Sequence, residues 1–226
     1  MPDLLKLILI KIITITLLLV IINILFIFYF SDVFSTTNFA ITIILINFFV
    51  IIDKIFQPLL LIGRKEKNFK QAFLLILFLF ANPFLFAFPY FEYSIIEKSN
   101  FPETITFFLW VIGSVILIIG GIIMCAGRII LRKYSSLIIT IEQNHKLVTN
   151  GPYSVIRHPI YAGIILMFFG YTLSFSSIIG TIIILAFFSI WFNKRIKLEE
   201  QLLIQTFGDK YLEYMKHTKR LVPFIY

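Results

Sequence analysis

Long apolar runs separated by short polar segments dominate this chain. Four of them, at about residues 4–30, 39–62, 72–91 and 105–127, reach the ~20 residues that an α-helix needs to cross a bilayer. The first run is too long for the core of a signal peptide and lacks a small-residue cleavage site, so we interpret it as a retained helix. The pattern predicts four N-terminal transmembrane helices.

The fifth apolar run, 159–192, is too long for one straight span and too short for two full spans. Gly170 and Gly180 flank a small-residue, polar break, "YTLSFSSII". We therefore expect a helical hairpin that turns within the membrane or near its far face. The polar tail, 193–226, is expected to form a cytoplasmic amphipathic helix, which completes an all-α membrane bundle.

Charge predicts the orientation of these helices. Segments 63–71, 128–158 and 193–226 are rich in Lys and Arg, whereas 92–104 has more acids than bases. Positively charged loops stay in the cytoplasm. We therefore expect a multi-pass protein whose N-terminus and C-terminal tail are cytoplasmic, with both ends of the hairpin on that same side.

Composition agrees with a membrane protein and argues against other classes. Hydrophobic residues make up 59% of the chain and charged residues 14%, whereas soluble domains are about 25% charged. The net charge of +8 comes from residues that flank apolar runs. Such residues suit anionic lipid headgroups, so we expect no nucleic-acid partner. The single cysteine, Cys125, excludes an intrachain disulfide and a Cys-rich metal site.

Two ionisable residues, Asp53 and Lys54, lie within the second apolar run. Such residues are functional candidates by default in a membrane segment. A simpler interpretation is that the helix ends near residue 52, before Pro58, and that "DKIFQP" lies at the cytoplasmic interface. We favour the simpler interpretation.

One candidate site is the stretch "NGPYSVIRHPIYAG", residues 150–163. Pro159 suits the first turn of a helix, which puts His158 at the helix entrance. A helix N-terminus attracts anions, and Tyr153 and Tyr161 add aromatic faces and hydroxyls. The stretch is therefore a candidate binding site for a ligand with an anionic group and an aromatic base. Ordinary interface chemistry, with Arg and Tyr among headgroups, is the alternative.

The second candidate edge follows the hairpin. Trp191, Arg195 and Glu199 are spaced at i, i+4 and i+8, on one helical face. An Arg can bind a carboxylate through two nitrogens, and a Glu can accept from ribose hydroxyls or an amino group. Because this edge leaves the same membrane face as His158, the two edges predict one polar pocket. An exposed Arg195–Glu199 pair is the alternative.

Three segments resemble the isoprenylcysteine carboxyl methyltransferase family, including its prokaryotic relatives. They are "HKLVTNGPYSVIRHPIYAG", "RIKLEEQLLIQTFGDKYLEYMK" and the closing "LVPFIY", and they cover about 145–226. The resemblance implies a membrane-embedded methyltransferase that uses S-adenosylmethionine. It divides the chain into N-terminal transmembrane helices, 1–127, and a catalytic region, 128–226.

The resemblance also assigns roles to residues. The implied cofactor contacts are His145, Leu147, Val148, Tyr153, His158, Pro159, Tyr161 and Glu199. Arg195 is implied as the catalytic residue beside the carboxyl group of the substrate. The family often has a Gln about seven residues before the His145 position, where this chain has Ile138, and Thr140 or Gln143 would have to replace it.

The implied reaction is methylation of a carboxylate on a lipid-modified or other hydrophobic substrate. A carboxylate is ionised at pH 7 and needs no general base, which suits a site with Arg and His but no Ser-His or Cys-His arrangement. An apolar substrate tail would enter from the bilayer. No metal site is expected, since His145 and His158 lack accompanying ligands.

Three alternatives stay open on sequence alone. The first is N-methylation of a phospholipid or other amine, in which Arg195 would meet a phosphate. The second is a membrane sterol-type reductase, although such relatives usually have Asn where this chain has Ile160. The third is a membrane scaffold without activity. The sequence leaves the methyl acceptor and the oligomeric state open.

Overall fold

The structure is a computed structural model that describes residues 37–56, 85, 87–97, 101–131 and 146–222. Its α-helices are α1 (Thr37–Phe56), α2 (Glu103–Leu131), α3 (Pro159–Ser174), α4 (Ile178–Phe207) and α5 (Asp209–His217). A π-helical turn (Tyr93–Glu97) follows helical residues 87–92, and a 3-10 turn (Gly151–Ser154) precedes α3. The described part of the chain contains no strand beyond one isolated bridge, which confirms the all-α prediction.

Two helices have the length and apolarity needed to cross a membrane. Within the described ranges these are α2 and α4, whereas α3 and the apolar part of α1 (Asn38–Asp53) are shorter. Large apolar side chains such as Ile112, Ile122 and Ile182 are exposed on the outer faces of α2 and α4, as expected of helices in lipid. The predicted first span, 4–30, and most of 72–91 lie outside the described residues, so the count of four N-terminal spans stays a prediction.

The fifth apolar run forms the predicted hairpin. Helix α3 ends at Ser174, the chain turns over the next three residues, and α4 begins at Ile178. Ser176 takes a left-handed backbone conformation in this turn (φ 55°). Helix α4 is longer than the apolar run, because the polar residues from 193 to 207 continue it without a break. The predicted pair of helices joined by a turn is therefore confirmed, and the start of the tail moves from 193 to 208; the place of the turn in the membrane stays a prediction.

A buried carboxylate fixes the turn end of the hairpin. Glu92 accepts hydrogen bonds from the backbone N–H groups of Ile179 (2.8 Å) and Gly180 (2.7 Å), and from the Ser177 hydroxyl. These N–H groups belong to the first turn of α4, where a helix lacks internal acceptors and favours negative charge. Glu92, only 2% exposed, therefore caps α4 from a distant part of the sequence.

Glycines bring α2 and α3 into close contact. Gly113 on α2 faces Gly170 on α3, and Gly120 faces Gly163 one heptad along. A Cβ on Gly163 would come 2.5 Å from the backbone nitrogen of Met124, which no side chain tolerates. Small residues at such contacts let backbones approach, the usual basis of helix packing in membranes. This packing holds the start of α3 against the C-terminal end of α2.

Asp53 is not at an exposed helix end. Helix α1 continues to Phe56 instead of ending near residue 52, so Asp53 is buried within it. Its carboxylate accepts a hydrogen bond from Arg128 Nε of α2 at 2.5 Å. The predicted helix end near residue 52 was therefore wrong, and a distant cation compensates the buried charge; the position of this segment at the membrane interface stays a prediction. The side chain of Lys54 lies outside the described residues.

Candidate active site

The site lies where α3 begins and where the polar half of α4 passes it. Gly151 has a positive φ of 60°, which starts the 3-10 turn of Gly151–Ser154. Pro159 then opens α3 with His158 as its N-cap residue. The predicted helix entrance is therefore confirmed, and the missing N–H of Pro159 costs this first turn nothing.

Three polar side chains join the two predicted edges. The Tyr161 hydroxyl donates to Glu199 Oε2 at 2.8 Å and accepts from Arg195 Nε at 2.7 Å. The Arg195 guanidinium also lies 5.9 Å from the centre of the Tyr161 ring, within range of a cation–π contact. The i, i+4 spacing on α4 thus places Arg195 and Glu199 on either side of one hydroxyl from α3. The prediction that the two edges meet is confirmed.

Aromatic rings form the wall beneath these polar groups. The His158 ring stacks on Tyr161, with centroids 5.6 Å apart and planes 11° apart. Tyr161 stacks in turn on Phe192, which stacks on Phe188, at 4.6 and 5.2 Å. Stacking against a neighbouring ring restricts the rotation of an aromatic side chain. This column therefore holds Tyr161 and His158 in fixed orientations.

His158 lies between two neighbouring carboxylates. Its Nδ1 is 3.9 Å from Glu199 Oε2, and its Nε2 is 3.5 Å from Glu200 Oε1. The residue is buried, and Nε2 makes no hydrogen bond to any described residue. Buried polar atoms are nearly always satisfied. The nearest described partner of Nε2 is thus Glu200 Oε1, at the 3.5 Å limit of a hydrogen bond.

The two adjacent glutamates differ in exposure and in partners. The Glu199 side chain is 29% exposed, whereas that of Glu200 is 4% exposed. Glu200 is bound by Arg157 and Arg220, while Glu199 contacts Tyr161 and faces His158. Glu199 can therefore meet a ligand, whereas Glu200 is committed to the protein. Sequence reasoning considered Arg157 as a donor at the helix entrance, but it missed Glu200, Arg220 and their pairing, although the double Glu and the Arg-His pair were visible signals.

Tyr153 closes the site from the side of α2. Its hydroxyl donates to the Gly127 carbonyl at 3.4 Å, and its own carbonyl accepts from the Tyr214 hydroxyl at 2.6 Å. Burial raises the pKa of the Tyr153 phenol, and the negative charge of Glu199 raises it further. Burial likewise raises the pKa of Tyr214 to about 12, so this hydroxyl stays protonated and donates. Tyr153 therefore links α2 and α5 to the neighbourhood of Glu199.

The remaining predicted residues are less closely tied to the cluster. Pro159 lies at the contact of α3 with Gly127 of α2. Leu147 and Val148 are half-buried in the extended segment before the 3-10 turn. His145, together with Ile138, Thr140 and Gln143, lies outside the described residues.

Comparisons with known proteins agree with this arrangement. Residues 108–210 match the family model of phospholipid methyltransferases. A probable protein-S-isoprenylcysteine O-methyltransferase of Oryza sativa subsp. japonica is 33% identical over 132 residues, which cover 57% of this chain and 69% of that protein. Protein-S-isoprenylcysteine O-methyltransferase A of Arabidopsis thaliana is 35% identical over 50% of this chain and 58% of its own length. The relative from Dictyostelium discoideum is 34% identical over 58% of this chain and 56% of its own length.

The matched region contains α3, α4, the Tyr161–Arg195–Glu199 cluster and most of α2. The family-model match therefore covers the part of the chain that builds the site. This chain belongs to the isoprenylcysteine carboxyl methyltransferase family of membrane methyltransferases.

Proposed function

We propose that this protein transfers a methyl group from S-adenosylmethionine to a carboxylate on a lipid-modified or other hydrophobic substrate. The observation that carries the proposal is the Tyr161 hydroxyl, which joins Glu199 and Arg195 at the entrance of α3. This hydroxyl places the Glu199 carboxylate, which can bind the cofactor, next to the Arg195 guanidinium, which can bind an anionic acceptor. The family of membrane methyltransferases supplies the reaction class.

The residues present fit S-adenosylmethionine in chemical type. Glu199 is a partly exposed carboxylate that can accept hydrogen bonds from ribose hydroxyls or bind the ammonium group. His158 has a buried ring nitrogen without a hydrogen-bond partner among the described residues. The cofactor residues of the proposal are Leu147, Val148, Tyr153, His158, Pro159, Tyr161 and Glu199, with His145 completing the set.

The protein's part in the reaction is to bind and orient. Bound S-adenosylmethionine supplies a methyl group on a positively charged sulfur. Arg195 would bind the acceptor carboxylate, which is ionised at neutral pH and needs no base. Tyr161 holds Arg195 at 2.7 Å and so fixes the direction of the guanidinium. The stacked rings hold Tyr161 and His158 in place, which favours a positioned reaction between two bound partners.

The proposed topology follows the charge pattern. Residues 128–226 would form the catalytic region, with the entrance of α3 and the tail facing the cytoplasm and residues 1–127 in the membrane. The large apolar side chains on the outer faces of α2 and α4 support lateral entry of a lipid tail from the bilayer. A prenylated cysteine is therefore the first acceptor to try.

The test is calorimetry on detergent-purified protein with S-adenosylmethionine. We expect micromolar binding by the wild type, lost in Glu199→Ala and in His158→Ala. A folded wild type without binding, even in the presence of acceptor, would refute the proposal. Transfer of labelled methyl to a prenylated cysteine is then compared with transfer to a phospholipid amine. Tyr161→Phe should raise KM for the carboxylate acceptor, because it releases Arg195.

A further inference from the structure

The segment that enters α3 is paired with the C-terminal end of the described chain. The residues Thr218–Arg220, which we call the C-terminal arm, run parallel to residues 155–158, with an isolated bridge between Ile156 and Lys219. The N–H of Arg157 donates to the Lys219 carbonyl at 2.7 Å, and that of His158 donates to the Arg220 carbonyl at 3.0 Å. The backbone of His158 is therefore held by residues some sixty positions away.

The Arg157 side chain strengthens this pairing from inside the protein. Its guanidinium donates to the carbonyls of Met215 (3.3 Å) and Thr218, and its Nε donates to Glu200 Oε1 at 2.9 Å. Both Arg157 and Glu200 are buried. A buried guanidinium needs such partners for its N–H groups. Arg157 therefore connects α4 to the C-terminal arm.

Arg220 of the C-terminal arm completes the arrangement on Glu200. Its Nε and Nη2 approach Glu200 Oε2 at 3.0 and 2.8 Å. The other oxygen, Oε1, meets Arg157 and lies 3.5 Å from His158 Nε2. The orientation of the Glu200 carboxylate, and with it the contact to His158, is thus set by two arginines. One arginine comes from each of the two paired segments.

The helix bonds the carbonyl of His158, which accepts from the N–H of Ala162 at 3.1 Å. As the N-cap residue His158 has φ −125° and ψ 60°, and its side chain makes no capping hydrogen bond. The position of the imidazole depends on the Tyr161 ring, on Glu200 and on the backbone bond to Arg220. Only the first of these lies within α3.

We propose that Arg220 and Glu200 are positioning residues that hold His158 in the cofactor site, so that the C-terminal arm is part of the site. The inference rests on the proposed function, because it assigns the consequence to cofactor binding. Arg220 acts through Glu200, and Glu200 acts through His158. The acceptor side of the site, at Arg195, is bonded to Tyr161.

The test uses the full chain in detergent with three variants. Arg220→Ala removes the guanidinium, Arg220→Lys keeps the charge but contacts one oxygen with a single nitrogen, and Lys216→Ala is the matched control. Lys216 also pairs with a glutamate, Glu213, at 2.7 Å, but on the exposed face of α5. The two readouts are Kd for S-adenosylmethionine by calorimetry and KM for a prenylated cysteine.

We expect Arg220→Ala to raise the cofactor Kd roughly tenfold, the lower end of the effect that loss of an outer hydrogen-bond partner has at metal sites. Arg220→Lys should give a smaller increase, and Lys216→Ala none. The acceptor KM should change less than the cofactor Kd in both Arg220 variants, because the effect reaches Arg195 only after His158 and Tyr161, and it should not change in Lys216→Ala. A structural role alone would not separate the two readouts, because a loosened fold weakens both.

Several outcomes would overturn the inference. A wild-type cofactor Kd in Arg220→Ala rejects it while leaving the proposed function intact. Equal losses in cofactor Kd and acceptor KM reject it in favour of a general effect on folding. Should Arg220→Ala fail to fold, an unchanged Kd in Arg220→Lys rejects it. If the folded wild type binds no S-adenosylmethionine, the proposed function fails and the inference fails with it.

Discussion

Replacing each of the two adjacent glutamates in turn separates ligand binding from folding. Glu199→Gln keeps the shape of the side chain and removes its charge. The carboxylate accepts from Tyr161 at 2.8 Å and is 29% exposed. A charge-assisted hydrogen bond is about twice as strong as a neutral one. The exchange should therefore cost about 1.5 kcal/mol of cofactor binding energy, or roughly a tenfold higher Kd.

Glu200→Gln is the comparison variant, one residue along the same helix, at a carboxylate that is committed to protein partners. Here the amide would leave Arg157 and Arg220 without their counter-charge in a buried position. Breaking a buried ion pair costs about 3–5 kcal/mol, and the partial exposure of Arg220 argues for about 3 kcal/mol. In a chain of this size that lowers Tm by roughly 6–12 °C.

The assay pairs calorimetry with thermal unfolding in detergent, on both variants and the wild type. We expect Glu199→Gln to lose affinity with a Tm close to that of the wild type, and Glu200→Gln to lose Tm together with some affinity, because Glu200 also positions His158. An affinity within twofold of the wild type in Glu199→Gln would show that its carboxylate does not meet the cofactor. A Tm loss in Glu199→Gln as large as in Glu200→Gln would show that the more exposed carboxylate contributes as much to stability as the buried one.

Three further predictions concern the packing that places the site. Glu92→Gln should lower the free energy of unfolding by about 2 kcal/mol, because the amide turns a donor toward the N–H groups of α4. The measurement is Tm, and an unchanged melting curve would contradict the prediction. Gly163→Ala should lower the free energy of unfolding by about 1–3 kcal/mol, because the added methyl group forces α2 and α3 apart. The measurement is Tm, and a higher Tm would mean that the helices do not approach so closely. Asp53→Asn should lower Tm. Adding Arg128→Met should restore most of that loss, because burying an ion pair has a desolvation cost that two neutral side chains avoid. A double variant with a Tm as low as that of the single variant would refute this reasoning.

Local features of the sequence were enough to predict the elements of the site. Pro159 predicts where α3 begins because its ring suits a first helical turn wherever that turn lies. The length of the run 159–192 predicts a hairpin because the bilayer sets the length of a span. The spacing of Arg195 and Glu199 places both on one face of α4 because helical periodicity is a property of the backbone. None of these predictions needs to know which helix packs on which.

Partners at long range could not be predicted in the same way. Asp53 was assigned to an interface because its compensating cation, Arg128, is 75 residues away in sequence. Glu92 was counted as a loop acid, yet it caps α4 from more than 80 residues away. The choice between Glu199 and Glu200 as the ligand-facing residue followed the family resemblance, and the structure supplies the physical difference between them.

The sequence by itself therefore determined a helical membrane protein with a hairpin, a polar edge on each side of it and a family of methyltransferases. Only the tertiary structure decided which of the charged residues are available to a ligand. The reason is that burial and ion pairing depend on the packing of α2, α3, α4 and the C-terminal arm. Glu200 is committed to the protein because Arg157 and Arg220 converge on it, and Glu199 remains accessible because a single tyrosine hydroxyl bonds to it.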